Sequence, residues 1–302
     1  MGGSSWDDDH YSRRVNDRAA RGVDAFAYSH KAVSNRTTLK AHPDMEPNGI
    51  SVRESRDSEA HPESVAIAVM FDVTGSMHRV PVELQKRLPS LMGTLVNKGF
   101  CKDPQVLFGA VGDSHTDRVP LQIGQFESGI EMDEDLGKIV LEGMGGGTNE
   151  EGYELALYFF ARHTSIDCHE KRGKKGYLFL IGDEHPYKTV TKAMAKKVFG
   201  DDLQVDEVSI EDLIVECQRK YNVYFIIPGG TSHWGDPKLT DRWRGLLGQN
   251  VLELPDPNTV CDLIGATVGL MEGLVDQETA TAAVSGAVLD AVVAPAGENV
   301  RL

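Results

Sequence analysis

The run Ser64-Val65-Ala66-Ile67-Ala68-Val69-Met70 is short, uncharged and rich in Val and Ile, the pattern of a β-strand covered on both faces. It leads directly into Phe71-Asp72-Val73-Thr74-Gly75-Ser76-Met77, where an acid and two hydroxyls stand at every second position. Beyond it, Leu84, Leu88, Leu91 and Leu95 recur at helical spacing and predict a helix packing one face back onto the sheet. The polar segment therefore sits at a strand's carboxyl end, the edge at which open parallel α/β sheets bind ligands.

The same rhythm continues along the chain. Strand patterns are expected at 106–111, 177–183, 223–227 and Val251–Leu254, separated by helical patterns at 190–198, 210–220, 239–247 and Val260–Met271. Residues 112–120 read as a hairpin connection, and the run 119–126, with Pro120 and polar alternation, reads as an antiparallel strand at the sheet edge. The expected fold is a doubly wound α/β domain with a mostly parallel central sheet, one antiparallel edge strand and helices on both faces. It would occupy 63–273. Residues 1–62, in which Arg13, Arg14, Arg18 and Arg21 interleave with Asp17 and Asp24, are expected to form an arm or linker that is partly disordered. Residues 274–302 read as a helical tail with a small-residue stripe, Ala280, Ala283, Val284, Ala287, Val288 and Ala291, able to dock on its own domain or on a second subunit.

The residue types at the strand end suit a hard cation such as Mg²⁺ or Mn²⁺. Asp72 brings charge, while Thr74 and Ser76 bring neutral oxygens. A site built mainly from hydroxyls leaves its ion under-neutralised, so a partner's Asp or Glu carboxylate can complete the shell. Short polar residues after a strand also cap helix N–H groups, and Asp-x-Thr-x-Ser alone would be weak.

At Asp72, Thr74 and Ser76 the chain resembles the von Willebrand factor A (vWA) family and its metal-ion-dependent adhesion site. The resemblance implies a Rossmann-like fold, a Thr from a later loop and an Asp at the end of the next central strand. Thr148 in the Gly-rich run Gly143-Met144-Gly145-Gly146-Gly147-Thr148 and Asp183 after Tyr177-Leu178-Phe179-Leu180-Ile181-Gly182 match them. By resemblance, the hydroxyls bind metal directly, the acids often act through water, and Thr148 binds when the partner is engaged. Three pieces in order, all at strand ends, outweigh the capping explanation. The implied metal set is Asp72, Thr74, Ser76, Thr148 and Asp183, with no catalytic residue. The implied role is a protein-binding module, and intracellular relatives often serve as adaptors for a separate MoxR-like AAA+ ATPase or its client. This chain has no Gly-x-x-x-x-Gly-Lys-Ser/Thr phosphate loop of its own.

Two other functions compete. Asp-x-Thr-Gly-Ser also looks like the nucleophile motif of haloacid-dehalogenase-like phosphotransferases, which would form an aspartyl phosphate on Asp72. The acidic segment Asp113 to Asp117 comes too early for that family, and Thr74 stands where those phosphatases usually carry a general acid. Asp113 and Asp117 are better read as turn formers, Asp113 at most near the ion. A structural assembly subunit, working through its arm or its small-residue stripe, is the third possibility.

Composition narrows the partners. A net charge of −15 disfavours nonspecific nucleic-acid binding and requires an acidic ligand to be presented on a neutral or basic surface. With 40% hydrophobic and 25% charged residues the chain reads as globular. The lack of a secretory h-region and of any apolar run of membrane-spanning length sets the expectation of a cytoplasmic protein without membrane contact. Cys101, Cys168, Cys217 and Cys261 lack paired spacing and read as reduced structural thiols. Lys171, Arg172, Lys174 and Lys175 read as a solvated loop. Of His115, His163, His169, His185 and His233, only His185, beside Asp183, merits testing as a partner contact. His233 and Trp234 could line the rim of the binding face.

Overall fold

The computed structural model describes residues 5–73, 75–77, 79–143 and 149–283. Its central sheet has six strands, β1 (Ser64–Asp72), β2 (Asp103–Val111), β3 (Leu121–Ile123), β4 (Gly176–Ile181), β5 (Tyr221–Pro228) and β6 (Val251–Leu254), in the order β6-β5-β4-β1-β2-β3. All neighbours are parallel except β2 and β3. Helices cover both faces, so the fold is the expected doubly wound α/β architecture with one antiparallel edge strand.

Strand alternation explains the two layers. Val65, Ile67, Val69 and Phe71 of β1 join one core cluster with Leu84, Leu88, Leu91 and Leu95 and with Val260, Leu263, Ile264 and Val268 of the closing helix. Ala66, Ala68 and Met70 face the other way and pack with Tyr153, Phe159 and Phe160 of the Tyr153–Arg162 helix and with Ile210 and Leu213. The alanines leave room for those aromatic rings. The leucine stripe is buried as its spacing predicts, yet it is not one helix. Helix Arg79–Lys86 gives way to Leu88–Met92, which restarts with Pro89 in its first turn, and a wider π-helical turn follows over Gly93–Asn97. Proline has no N–H to continue the earlier ladder, so it suits a new helix start.

The edge strand β3 is shorter than the run that predicts it. Pro120 lies outside it, and the buried Gln122 side chain ties the edge to the Val140 backbone, donating to its carbonyl at 2.9 Å and accepting from its N–H at 2.7 Å. In the 190–198 segment Thr189–Thr191 forms a short strand, and the helix runs Lys192–Phe199 with the Thr191 hydroxyl capping the Met194 N–H.

Residues 5–62, expected as a partly disordered arm, run across the domain in regular elements. Helix Asp8–Ala20 buries Tyr11, whose hydroxyl donates to the Gln85 carbonyl at 2.6 Å. Arg14 and Arg18 from the same helix converge on the buried Asp133. Strand Arg53–Ser55 pairs with Thr164–Ile166, and Arg56 binds Asp167 and Glu170 at 2.8 Å each. A mixed-charge segment carries too little apolar surface to fold alone, but here its guanidiniums meet acids on the domain. The basic run expected as a solvated loop is likewise engaged. Arg172 donates to Asp57 at 2.7 Å, Lys171 lies 3.3 Å from the same carboxylate, and Lys174 lies 3.5 Å from Glu272.

At the other end, helix Gln277–Ala283 buries Ala280, while Val284, Ala287, Val288 and Ala291 of the small-residue stripe lie outside the described residues. All four cysteines are buried and free. Among the described residues no helix is long and apolar enough to cross a membrane.

Candidate metal centre at the carboxyl edge

Register brings the two aspartates to one edge. Phe71 of β1 stands opposite Ile181 of β4, so Asp72 at the end of β1 and Asp183 just past β4 leave the sheet side by side. Both are fully buried. Thr74, Thr148 and the side chain of Ser76 lie outside the described residues.

The ends of the Thr148 loop are nonetheless anchored at this edge. The Gly143 N–H donates to the Val73 carbonyl at 3.2 Å, immediately after Asp72. On the far side of the loop, the Asn149 carbonyl accepts from the His185 N–H at 3.1 Å, and Glu150–Glu151 pairs in parallel with His185–Pro186. Asn149 takes a left-handed backbone at φ 56°, a conformation that Asn tolerates better than most residues. The loop thus starts beside the first motif and ends beside the third.

Neutral donors contact the two aspartates. The Tyr153 hydroxyl donates to Asp72 Oδ2 at 3.4 Å, a long contact inside a closed core. Burial first, then the charge of Asp72, pushes the Tyr153 phenol well above its ordinary value, so it stays a donor. Its seat depends on Gly182, because a Cβ there would lie 1.8 Å from the phenol oxygen. The Asp183 carboxylate accepts the His233 N–H at 3.2 Å, and His233 Nδ1 stands 3.8 Å from it and 3.5 Å from Glu184 Oε2. Trp243 donates its indole N–H to the Glu184 carbonyl at 3.1 Å and steadies that segment.

The edge is crowded with acids. Glu151 is 2% exposed, and its Oε2 has no hydrogen-bond partner among the described residues. Burial, followed by the charges of Asp72, Asp117, Asp113 and Glu184, drives its carboxyl far above the usual range. Burial and then Asp183 push Glu184 up to about 7, and burial does the same for Asp117, with Glu142 and Asp113 adding to it. Asp113 is held lower, against its own burial, by the Thr116 hydroxyl, the His115 and Thr116 N–H groups and the Tyr187 hydroxyl. Asp113 and Asp117, whose Oδ2 accepts the Asp113 N–H at 3.0 Å, shape the turn after β2, as their positions predict.

Among the described residues, no three His, Cys, Asp or Glu side chains are arranged to hold a metal ion together. The two aspartates offer hard oxygen donors of the kind Mg²⁺ or Mn²⁺ takes. Sequence reasoning located Asp72 and Asp183 and missed Glu151, Tyr153, Glu184 and the His233 N–H. Glu151 follows the Gly-rich loop in a Glu-Glu pair that reads as surface. His185, the histidine singled out earlier, contributes its backbone N–H, while its ring is only half-buried and its pKa is lowered by burial.

Fold and edge together define an open, doubly wound α/β protein with paired buried aspartates at the carboxyl edge of its sheet. No protein-family model matches the chain, and no curated protein matches it. Among solved structures it is similar to the open conformation of the pilus adhesin SpaC from Lactobacillus rhamnosus GG, with 10% identity, a TM-score of 0.47, and coverage of 72% of this chain and 31% of that one. It is also similar to proximal thread matrix protein 1 (PTMP1) from the mussel byssus, with 9% identity, a TM-score of 0.42, and coverage of 69% of this chain and 47% of the other. The chain thus spans between 31% and 47% of the length of these two structures.

Proposed function

We propose that this protein is a divalent-cation-dependent binding module of vWA type, which holds Mg²⁺ or Mn²⁺ at Asp72, Thr74, Ser76, Thr148 and Asp183 and uses it to capture an Asp or Glu carboxylate of a protein partner. One observation carries the reading. Gly143 and Asn149, the described residues that flank the Thr148 run, are hydrogen-bonded to Val73 and His185, next to two buried aspartates on the same sheet edge. The bound ion would supply positive charge where the protein offers carboxylates and hydroxyls. Asp72 and Asp183 would hold it, largely through water if the family pattern applies. Tyr153 and the His233 N–H keep these carboxylates oriented. The hydroxyls would leave the ion short of charge, and a partner acid would make up the difference.

The chain would work in the cytoplasm as a non-enzymatic adaptor, with a separate MoxR-like AAA+ ATPase or its client as the kind of partner. Capture of interacting proteins in Mg²⁺ and in EDTA tests this, with wild type beside Asp72→Ala and Thr148→Ala. Capture should need Mg²⁺ and fail in both variants while they keep the wild-type circular dichroism spectrum. The same proteins retained in EDTA by all three forms would reject the reading. A hydroxylamine-labile phosphate on Asp72 after incubation with a phosphodonor would favour the phosphotransferase instead.

A further inference from the structure

His163 caps the Tyr153–Arg162 helix and meets the N-terminal segment through both its backbone and its ring. Its carbonyl accepts the Arg53 N–H at 2.8 Å, beside the pairing of Arg53–Ser55 with Thr164–Ile166. Its buried ring packs nearly parallel to Phe159 and Phe199, at centroid distances of 5.4 and 5.5 Å. Nδ1 stands 3.2 Å from the Ser51 carbonyl oxygen, and Nε2 stands 2.8 Å from Asp201 Oδ2. That carboxyl oxygen also accepts the Tyr158 hydroxyl at 2.7 Å. Burial works against the charge of Asp201, yet the Tyr158 and His163 hydrogen bonds hold its carboxyl below the ordinary value. Both ring nitrogens therefore face oxygens that can only accept, a carbonyl on the arm and a carboxylate just past helix Lys192–Phe199. A neutral imidazole has one N–H and turns a lone pair towards one of them, whereas the doubly protonated ring donates to both.

We infer that His163 is a pH-sensitive lock on the N-terminal segment, in which the imidazolium ties Ser51 to Asp201 and loss of one ring proton breaks one of the two bonds and loosens residues 48–53. The lock stands whether or not the chain binds a metal. The charged groups packed around it have other partners. Arg162, on the same helix, is spent on Glu216 through two contacts of 2.9 Å and lies 4.7 Å over the Tyr158 ring. From helix Lys192–Phe199, Lys196 donates to the Gly200 carbonyl at 3.1 Å, and Lys197 meets the arm through its backbone carbonyl, which accepts from Asn48 at 3.1 Å. Arg53, on the arm, sends its guanidinium to the Asp44 and Ile123 carbonyls at 2.5 and 3.0 Å. Burial and then Asp201 push the Tyr158 phenol up to about 12, so it stays a donor. With Asp201 held low and Tyr158 held high, the imidazole is the member of the cluster left to titrate near neutrality. The lock is closed while the ring carries both protons, and it weakens as pH rises through the ring's titration.

The test follows the His163 ring nitrogens by heteronuclear NMR and the Arg53 amide by hydrogen exchange, on the full chain from pH 5 to pH 9, in wild type, Asp201→Asn and His163→Gln. Both nitrogens should carry protons at the acid end. As the ring loses one, protection of the Arg53 amide relative to the amides of β1 should fall about tenfold, the worth of one charge-assisted hydrogen bond. Asp201→Asn removes the counter-charge and should move both changes to lower pH together. His163→Gln has no proton to lose and should hold the relative protection level across the range. A ring with one N–H throughout, or Arg53 protection that stays level while the ring titrates, would overturn the lock. So would wild-type pH dependence in His163→Gln, or a ring titration that Asp201→Asn leaves in place. If His163→Gln does not fold, the ring and amide titrations of wild type and Asp201→Asn decide on their own.

Discussion

Adding one methyl group at Gly182 should disturb the site through a residue that no ligand touches. The Cβ of a Gly182→Ala variant would fall 1.8 Å from the Tyr153 hydroxyl oxygen and 2.7 Å from its Cζ. Ordinary contact begins near 3.4 Å, so the phenol must retreat by roughly 1.5 Å. It has nowhere easy to go. Tyr153 is fully buried and packs edge-on against Phe225 and Trp243 at centroid distances of 5.3 and 5.4 Å. Overpacking of this kind costs about 1–3 kcal/mol, and the lost hydrogen bond to Asp72 adds about 1 kcal/mol, so a total near 3 kcal/mol is expected. Tyr153→Phe alone should cost about 1 kcal/mol. It also removes the atom that clashes worst, so in its background Gly182→Ala should cost about 1–2 kcal/mol less than in wild type. Urea denaturation of the four forms gives this coupling energy directly. Additive penalties would mean that the methyl is accommodated elsewhere and that Gly182 does not set the position of Tyr153.

Glu154 is fully buried, and burial pushes it up to about 8 from an ordinary 4.5. The folded chain therefore keeps a proton that the unfolded chain sheds, and stability should fall as pH rises from 4.5 towards 8. Glu154→Gln should flatten that slope and be the more stable form at pH 8 by on the order of a few kcal/mol, as read by urea melts at pH 5 to 8; parallel curves would reject it. Asp133→Ala should strip Arg14, Arg18 and Gln85 of their shared acceptor, cost roughly 2–3 kcal/mol and open residues 5–62 to limited proteolysis. Cleavage no faster than in wild type would show that the arm is held without it.

The parts of the molecule legible in the sequence are those whose signal is local. β1 announces itself because a doubly covered strand admits no charge, and Asp72 and Asp183 because each breaks an apolar run at its carboxyl end. The leucine stripe predicted burial correctly but not the break near Pro89, since periodicity continues across a helix restart whenever both pieces face the same core. The arm was harder. Its charges look solvated until Asp133, Asp167 and Glu170 are brought to them by the fold. Tyr153 was invisible as a site residue for a similar reason. It opens a helix and reads as core, and only the glycine at 182 lets its hydroxyl reach Asp72.

The way this chain treats its other buried acids gives the carboxyl edge its meaning. Asp133 is clasped by two arginines and Gln85, and Asp167 by Arg56 and Lys171. Guanidiniums and ammoniums thus meet both of these buried carboxylates. At the carboxyl edge, among the described residues, Glu151, Glu154 and Glu184 pair with no Lys or Arg, and Glu184 faces His233 at 3.5 Å. Each such group costs stability, and a protein of net charge −15 has every reason to avoid gathering more of them. Acids gathered at one sheet edge without Lys or Arg partners among the described residues, around two aspartates contacted by neutral donors, are what a chain would carry if positive charge came from outside it.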